Sequence, residues 1–219
     1  PQSAFTPCSA VYLKAFGLSN ATYRFVVYEP LGGLKTTNPA ELTPDTSGQV
    51  SDSYQLQPGD PLGTWTVKLQ KRSGGSFADL PNYVATFGLV NSGAISTSTG
   101  RATYNLTGEV VAAQASAQNL NPVALEGSLA YVLFVDGNGN HAPDAGETYL
   151  RPDGTAVAFA PGNTTRVTTP FLVAANSVKN DSWQLSVPDF GTLGTWHVRV
   201  EWRNGCSGLI ASGFSTFQV

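Results

Sequence analysis

The stretch Leu62-Gly63-Thr64-Trp65-Thr66-Val67-Lys68-Leu69 returns later in the chain as Leu193-Gly194-Thr195-Trp196-His197-Val198-Arg199-Val200. Within each copy apolar and polar residues alternate. Trp65, Val67 and Leu69 fall on one side, with Thr66, Lys68 and Gln70 on the other. Trp196, Val198, Val200 and Trp202 oppose His197, Arg199, Glu201 and Arg203. Successive side chains of an extended strand point to opposite faces, so this period of two predicts β-strands with one face in a core and the other in water. His197 is then a solvent-face residue. Two more blocks repeat in the same order: Asp52-Ser53-Tyr54-Gln55-Leu56 returns as Asp181-Ser182-Trp183-Gln184-Leu185, and Thr86-Phe87 as Thr216-Phe217.

Three matched blocks at a near-constant offset are the signature of an internal repeat, so the chain divides into two homologous domains. The expected division is 1–92 and 93–219, with the Ser/Thr/Gly-rich stretch 91–100 as the natural joint between them. Turn signals such as Ser73-Gly74-Gly75 and Asn204-Gly205 separate short strands, about seven or eight per unit, and no segment carries a sustained helical stripe. The fold class expected is all-β, as two tandem immunoglobulin-like antiparallel β-sandwiches, with Trp65 and Trp196 at equivalent core centres. A unit of about a hundred residues buries a sufficient core of its own. The matched pairs Asp52-Ser53 and Asp181-Ser182 read as turn formers ahead of a strand.

The second repeat carries something that the first lacks. Residues 136–147 read Asp-Gly-Asn-Gly-Asn-His-Ala-Pro-Asp-Ala-Gly-Glu. Oxygen-bearing side chains fall at positions 1, 3, 5, 9 and 12 of this loop. A hard cation such as calcium takes six to eight oxygens, and the register supplies Asp136, Asn138, Asn140, the carbonyl of Ala142, Asp144 and a bidentate Glu147. The loop resembles the EF-hand calcium loop, and more closely the loops of B-repeat and other immunoglobulin-like domains in bacterial surface proteins. That resemblance implies calcium and no particular partner. Two positions depart from the pattern. His141 occupies the sixth, where an EF-hand has glycine for a sharp turn, and must tolerate a left-handed backbone. Pro143 occupies the eighth and has no N–H for the strand bridge through which EF-hands pair. The preceding run Leu129-Ala-Tyr-Val-Leu-Phe-Val135 is strand-like, so the loop is expected on a β-strand. Tyr23 to Tyr28 in the first repeat is expected to correspond to Tyr131 through Asp136, and is followed there by Glu29-Pro30-Leu31-Gly32-Gly33, where no ion is expected.

Composition narrows the class. Charged residues are only 12% of the 219, about half the usual share. Gly, Pro, Ser, Thr and Asn are plentiful, as in a turn-rich exported β-protein. The net charge of −3 and the scattered Lys and Arg provide no footprint for nucleic acid or an anionic membrane. No apolar run is long enough for a membrane span. The chain begins at Pro1 and holds no methionine, as a mature or trimmed chain does. Cys8 and Cys206 lie outside any C-x-x-C pair, and the expected state is a disulfide, either within one chain or between two copies. Sequons at Asn20, Asn105, Asn163 and Asn180 make a glycan possible in a glycosylating host.

Catalysis needs a nucleophile beside a base, separated carboxylates or an open metal position. The sequence offers none of the usual motifs, and an enzyme is not expected. The function expected is that of a calcium-binding structural protein of a microbial cell surface, a surface-layer, filament or adhesin subunit that self-associates with identical subunits. Strand addition at an open sheet edge is one means of doing so. The alternative is a non-catalytic module of a larger secreted protein that binds carbohydrate or protein.

Overall fold

The computed structural model describes residues 4–36, 39–57, 59–105, 108–186 and 189–219. It is all-β, with no helix among the described residues. The chain forms two compact units, Pro1–Asn91 and Ser92–Val219.

The first unit holds β1 (Ala4–Phe5), β2 (Ala10–Ala15), β3 (Tyr23–Tyr28), β4 (Val50–Gln55), β5 (Gly63–Ser73) and β6 (Ser76–Leu89). One sheet runs β1-β6-β5-β3 and the other pairs β2 with β4. Strand β1 runs parallel to the end of β6, placing Ala4 opposite Gly88; the other pairings are antiparallel. Trp65, Val67, Leu69, Phe25, Val27 and Phe87 meet Val11, Leu13 and Val50 in one core. The apolar side of the repeated block is therefore the inner face.

The second unit holds β7 (Gly93–Thr99), β8 (Val111–Asn119), β9 (Leu125–Val135), β10 (Thr148–Leu150), β11 (Ala156–Ala158), β12 (Arg166–Val167), β13 (Phe171–Val173), β14 (Val178–Leu185), β15 (Thr195–Asn204) and β16 (Leu209–Gln218). One sheet is β14-β8-β7. The other is centred on β9-β15-β16, with β10 to β13 added alongside. Between them lie Trp196, Trp202, Tyr131, Leu133, Val198 and Val200 on one side and Val111, Ala113, Ala115 and Ala117 on the other. Small residues on β8 leave room for the indoles opposite, which is how interiors reach crystal-like density.

The repeat motif has a local cause visible in both units. Gly63 and Gly194 adopt φ of 129° and 142°, a region open in practice to glycine alone. The turn this permits places a carbonyl over the following indole: Trp65 Nε1 donates to Pro61 O at 3.0 Å, and Trp196 Nε1 to Thr192 O at 3.3 Å. A buried indole N–H needs such an acceptor. Both tryptophans are fully buried.

Four expectations from the sequence are corrected. The stretch 91–100 is not a joint along its whole length, because Gly93–Thr99 pairs antiparallel with β8 from Gly93↔Asn119 to Thr99↔Ala113. Asp52 and Asp181 lie inside β4 and β14 and not in turns. Asp181 accepts a bond from Tyr131 Oη at 2.6 Å and pairs with Arg166 at 2.6 Å. The counterpart of Phe25 is Tyr131, since they face the equivalent residues Leu69 and Val200, so the alignment of β3 with β9 shifts by two residues. A shift of two preserves the inward face. Finally, His197 is buried, only 5% exposed. The outer face of β9 is covered by a small second core of Val132, Phe134, Tyr149 and Phe159.

Candidate metal centre

Strand β9 ends at Val135, paired with Trp196, and Asp136 follows at once. Its side chain has no solvent exposure. Asp136 Oδ1 accepts the N–H of Gly139 at 2.7 Å and of Asn138 at 3.3 Å, and Oδ2 accepts the N–H of His141 at 2.7 Å. Burial pushes this carboxyl upward, yet the N–H groups of His141, Gly139 and Asn138 outweigh it and hold the pKa below the usual carboxylate range. The first loop position is thus a fixed anion around which the backbone turns. His141 sits at φ 59°, so it does take the left-handed conformation that its position demands. Arg199 Nη1 donates to its carbonyl at 3.0 Å.

The remaining loop side chains converge. Asn138 Nδ2 and Asn140 Nδ2 both donate to Asp144 Oδ2, at 2.6 and 2.8 Å. Glu147 closes the ring: Oε1 accepts the N–H of Gly137 at 2.7 Å and Oε2 that of Asp144 at 2.9 Å. Ala142 gives its N–H to Asn140 Oδ1 at 2.8 Å. The exit is pinned by Phe159, which exchanges backbone bonds with Gly146 and Glu147. All of Asp136, Asn138, Asn140, Ala142, Asp144 and Glu147 therefore belong to one hydrogen-bonded loop. The donor chemistry fits calcium, with three carboxylates and two amides whose rotation exchanges N–H for oxygen.

A second grouping was not anticipated. Asp136, His141 and His197 each offer one ligand atom, and the three atoms lie within 4.8 Å of one another. His141 Nδ1 is 3.4 Å from Asp136 Oδ2, and His197 Nε2 is 4.0 Å from the same oxygen. His141 stacks on Phe214 at 4.1 Å, and His197 packs against Phe134 at 5.4 Å. Burial lowers the His197 pKa below the ordinary imidazole value; the charge on Asp136 opposes this, His141 adds to it and Glu147 opposes it. The signal for His197 was present in the sequence. Leu129 to Val135 is continuously apolar and not alternating, the pattern of a strand covered on both faces. His197 pairs with Phe134 of that strand, so its face is covered as well.

Beside the loop, an open groove of about 750 Å³ passes Pro143, Asp144 and Phe159 and reaches Arg199, Glu201 and Arg203. Glu201 bridges the two arginines, accepting from Arg199 Nε at 3.0 Å and Arg203 Nε at 2.9 Å. Neither cysteine is free; Cys8 and Cys206 are both disulfide-bonded. Among the described residues no helix is long and apolar enough to cross a membrane.

No protein-family model and no curated protein matches the chain. Among solved structures it is similar to red sea bream transglutaminase, at 14% identity and a TM-score of 0.36, covering all of this chain and 30% of that one. It is similar to a tetra-tandem repeat from the extending region of a large adhesion protein, at 13% identity and a TM-score of 0.32, covering 95% of this chain and 49% of that one. Sporulation control protein Spo0M from Bacillus subtilis matches at 10% identity and a TM-score of 0.38, over 59% of this chain and 50% of its own. The chain thus spans half or less of each of these proteins, and at such scores the likeness bears on neither activity nor partner.

Proposed function

We propose that this chain is a non-catalytic structural module of a microbial cell surface, in which calcium bound by residues 136–147 rigidifies the second unit. The observation that carries the reading is the convergence of loop positions 3, 5 and 9, with Asn138 and Asn140 both on Asp144, inside a ring closed by Asp136 and Glu147. A plain polar turn has no need of carboxylates at its first, ninth and twelfth positions, where a calcium loop carries them. On this reading calcium supplies a multivalent charge that binds the loop's carboxylates. The chain's own part is to hold Asp136 through three backbone N–H groups and Glu147 through two.

The exported setting is supported by the two disulfide-bonded cysteines and by the low charge content. Self-association with identical copies completes the reading. Sedimentation and electron microscopy of the full chain, with calcium and with chelator, test it: ordered assemblies that loosen on chelation are the expected result, and a monomer in both conditions would refute the structural role. The alternative of a binding module draws on the groove beside the loop, with its Arg199-Glu201-Arg203 ladder. A monomer that retains a glycan or protein ligand, and loses it in Arg203→Ala, is the outcome that would favour this alternative.

A further inference from the structure

We propose that Asp136, His141 and His197 form a second metal site, one that takes a late first-row transition ion, with Zn2+ as the reference case. The proposal does not rest on the calcium reading. Calcium is a hard ion served by oxygen, whereas two imidazoles and one carboxylate are the donor set of zinc, cobalt, nickel or copper. The three groups come from two elements. Asp136 and His141 are the first and sixth residues of the loop, and His197 projects from β15 on the sheet face that the loop covers.

Two observations point to a ligand here. The first is His197 itself, 5% exposed. Its Nε2, the nitrogen turned toward the site, lies 4.0 Å from Asp136 Oδ2, beyond hydrogen-bond reach, and its Nδ1, on the other side of the ring, is buried without a partner of its own. Buried polar atoms in native proteins are nearly always partnered, and a buried imidazole without hydrogen bonds carries a desolvation cost that a metal bond at Nε2 would offset. A hydrophobic residue of similar volume would fill this space against Phe134 without that cost. The second is His141, which occupies a left-handed backbone position at φ 59° where glycine would be unstrained. Its ring is nonetheless held on Phe214, and its Nδ1 is directed to within 3.4 Å of Asp136 Oδ2. Both departures place imidazole nitrogen about the same oxygen.

The spacing suits a four-coordinate ion. With bonds of about 2.0–2.1 Å, tetrahedral ligand atoms stand roughly 3.3–3.5 Å apart. The Asp136–His141 separation already matches, while His197 stands 4.0 Å from Asp136 and within 4.8 Å of the His141 ligand atom, so its ring moves inward to close the site. Asp136 Oδ2 spends one lone pair on the N–H of His141 and keeps another for the ion. The His141 side chain is 48% exposed, so the site opens to solvent, and three protein ligands leave a fourth position for water.

The test uses the full chain with calcium in excess, titrated with Zn2+ by calorimetry and with Co2+ by its visible absorption. One equivalent of each ion is expected, with the absorption of a four-coordinate cobalt site. His141→Gly removes a ligand while relieving the backbone, and is expected to weaken zinc at least tenfold while leaving calcium binding intact; His197→Asn should weaken it likewise. Glu147→Gln, which removes a loop carboxylate that is not one of the three proposed ligands, is expected to leave zinc affinity within about threefold. Zinc uptake unchanged by His141→Gly, or no uptake at all, would overturn the proposal whether or not His197→Asn folds. Loss of calcium binding alone in Glu147→Gln tests the other reading separately.

Discussion

His141 and His197 are the only two imidazoles in the chain, and the fold sets their rings 5.5 Å apart. Alternation assigned His197 to the outside of β15, and it does lie opposite Trp196. What alternation could not convey is that this outside is itself covered. The same alternation is right for Arg199, Glu201 and Arg203, which keep partial exposure along the open groove. A surface histidine would tolerate truncation with a change of about half a kcal/mol at most. Buried against Phe134, His197 should behave otherwise. His197→Ala is expected to destabilise the second unit by about 2–3 kcal/mol, through lost packing and the cavity left behind. Chemical denaturation in chelator measures this, and a change below about half a kcal/mol would return the residue to the surface. Trp65 and Trp196, by contrast, were legible in full, because a repeated Gly-Thr-Trp with an alternating tail admits few other placements.

At the scale of elements, the strand that matters is β9. Its inner face enters the main core through Leu129, Tyr131 and Leu133, and its outer face makes a second core with Val132 and Phe134. The unbroken apolar run carried that information, although nothing in the sequence said which segment would do the covering. That depends on where Tyr149 and Phe159 fold, a tertiary matter. The loop itself was legible because its polar spacing is local in sequence, and the structure folds those residues into one hydrogen-bonded loop. The strand within 91–100 was not legible because Ser and Thr serve linkers and strand edges alike, and only pairing with β8 distinguishes them. The loop geometry also separates two roles among its carboxylates. Asp136 accepts three backbone N–H groups, while Asp144 accepts side-chain amides from two exposed asparagines. Asp136→Ala is therefore expected to lower stability by about 1–3 kcal/mol even in chelator, through orphaned N–H groups. Asp144→Ala should cost no more than about half a kcal/mol in chelator and show its effect only in calcium. Melting curves of both variants in both conditions check the contrast; equal losses for Asp144→Ala with and without calcium would speak against a metal role.

At the scale of the molecule, each unit carries its own buried tryptophan at the same place in the same kind of strand. Trp65 stacks on Phe87 at 5.9 Å, and Trp196 packs edge-on against Phe190 at 4.9 Å. Truncating either to Ala is expected to cost about 3–5 kcal/mol. Hydrogen exchange should then show lost protection in the unit that bears the change, and protection lost equally throughout would mean that the chain folds as one cooperative body. The first unit turns at Glu29 to Gly33 where the second extends into the loop, with Gly32 N–H on Glu29 O at 2.9 Å. Calcium should accordingly act on one unit alone. When free calcium is about a hundredfold above its dissociation constant, linkage adds roughly 2.7 kcal/mol to the stability of the folded form.

The most direct measurement is a calorimetric titration of the full chain with Ca2+, beside Glu147→Gln. One calcium per chain is expected in the unaltered protein, with affinity lowered at least tenfold when Glu147 loses its charge and its second carboxylate oxygen. No binding by the unaltered chain, or binding that Glu147→Gln leaves untouched, would contradict the account.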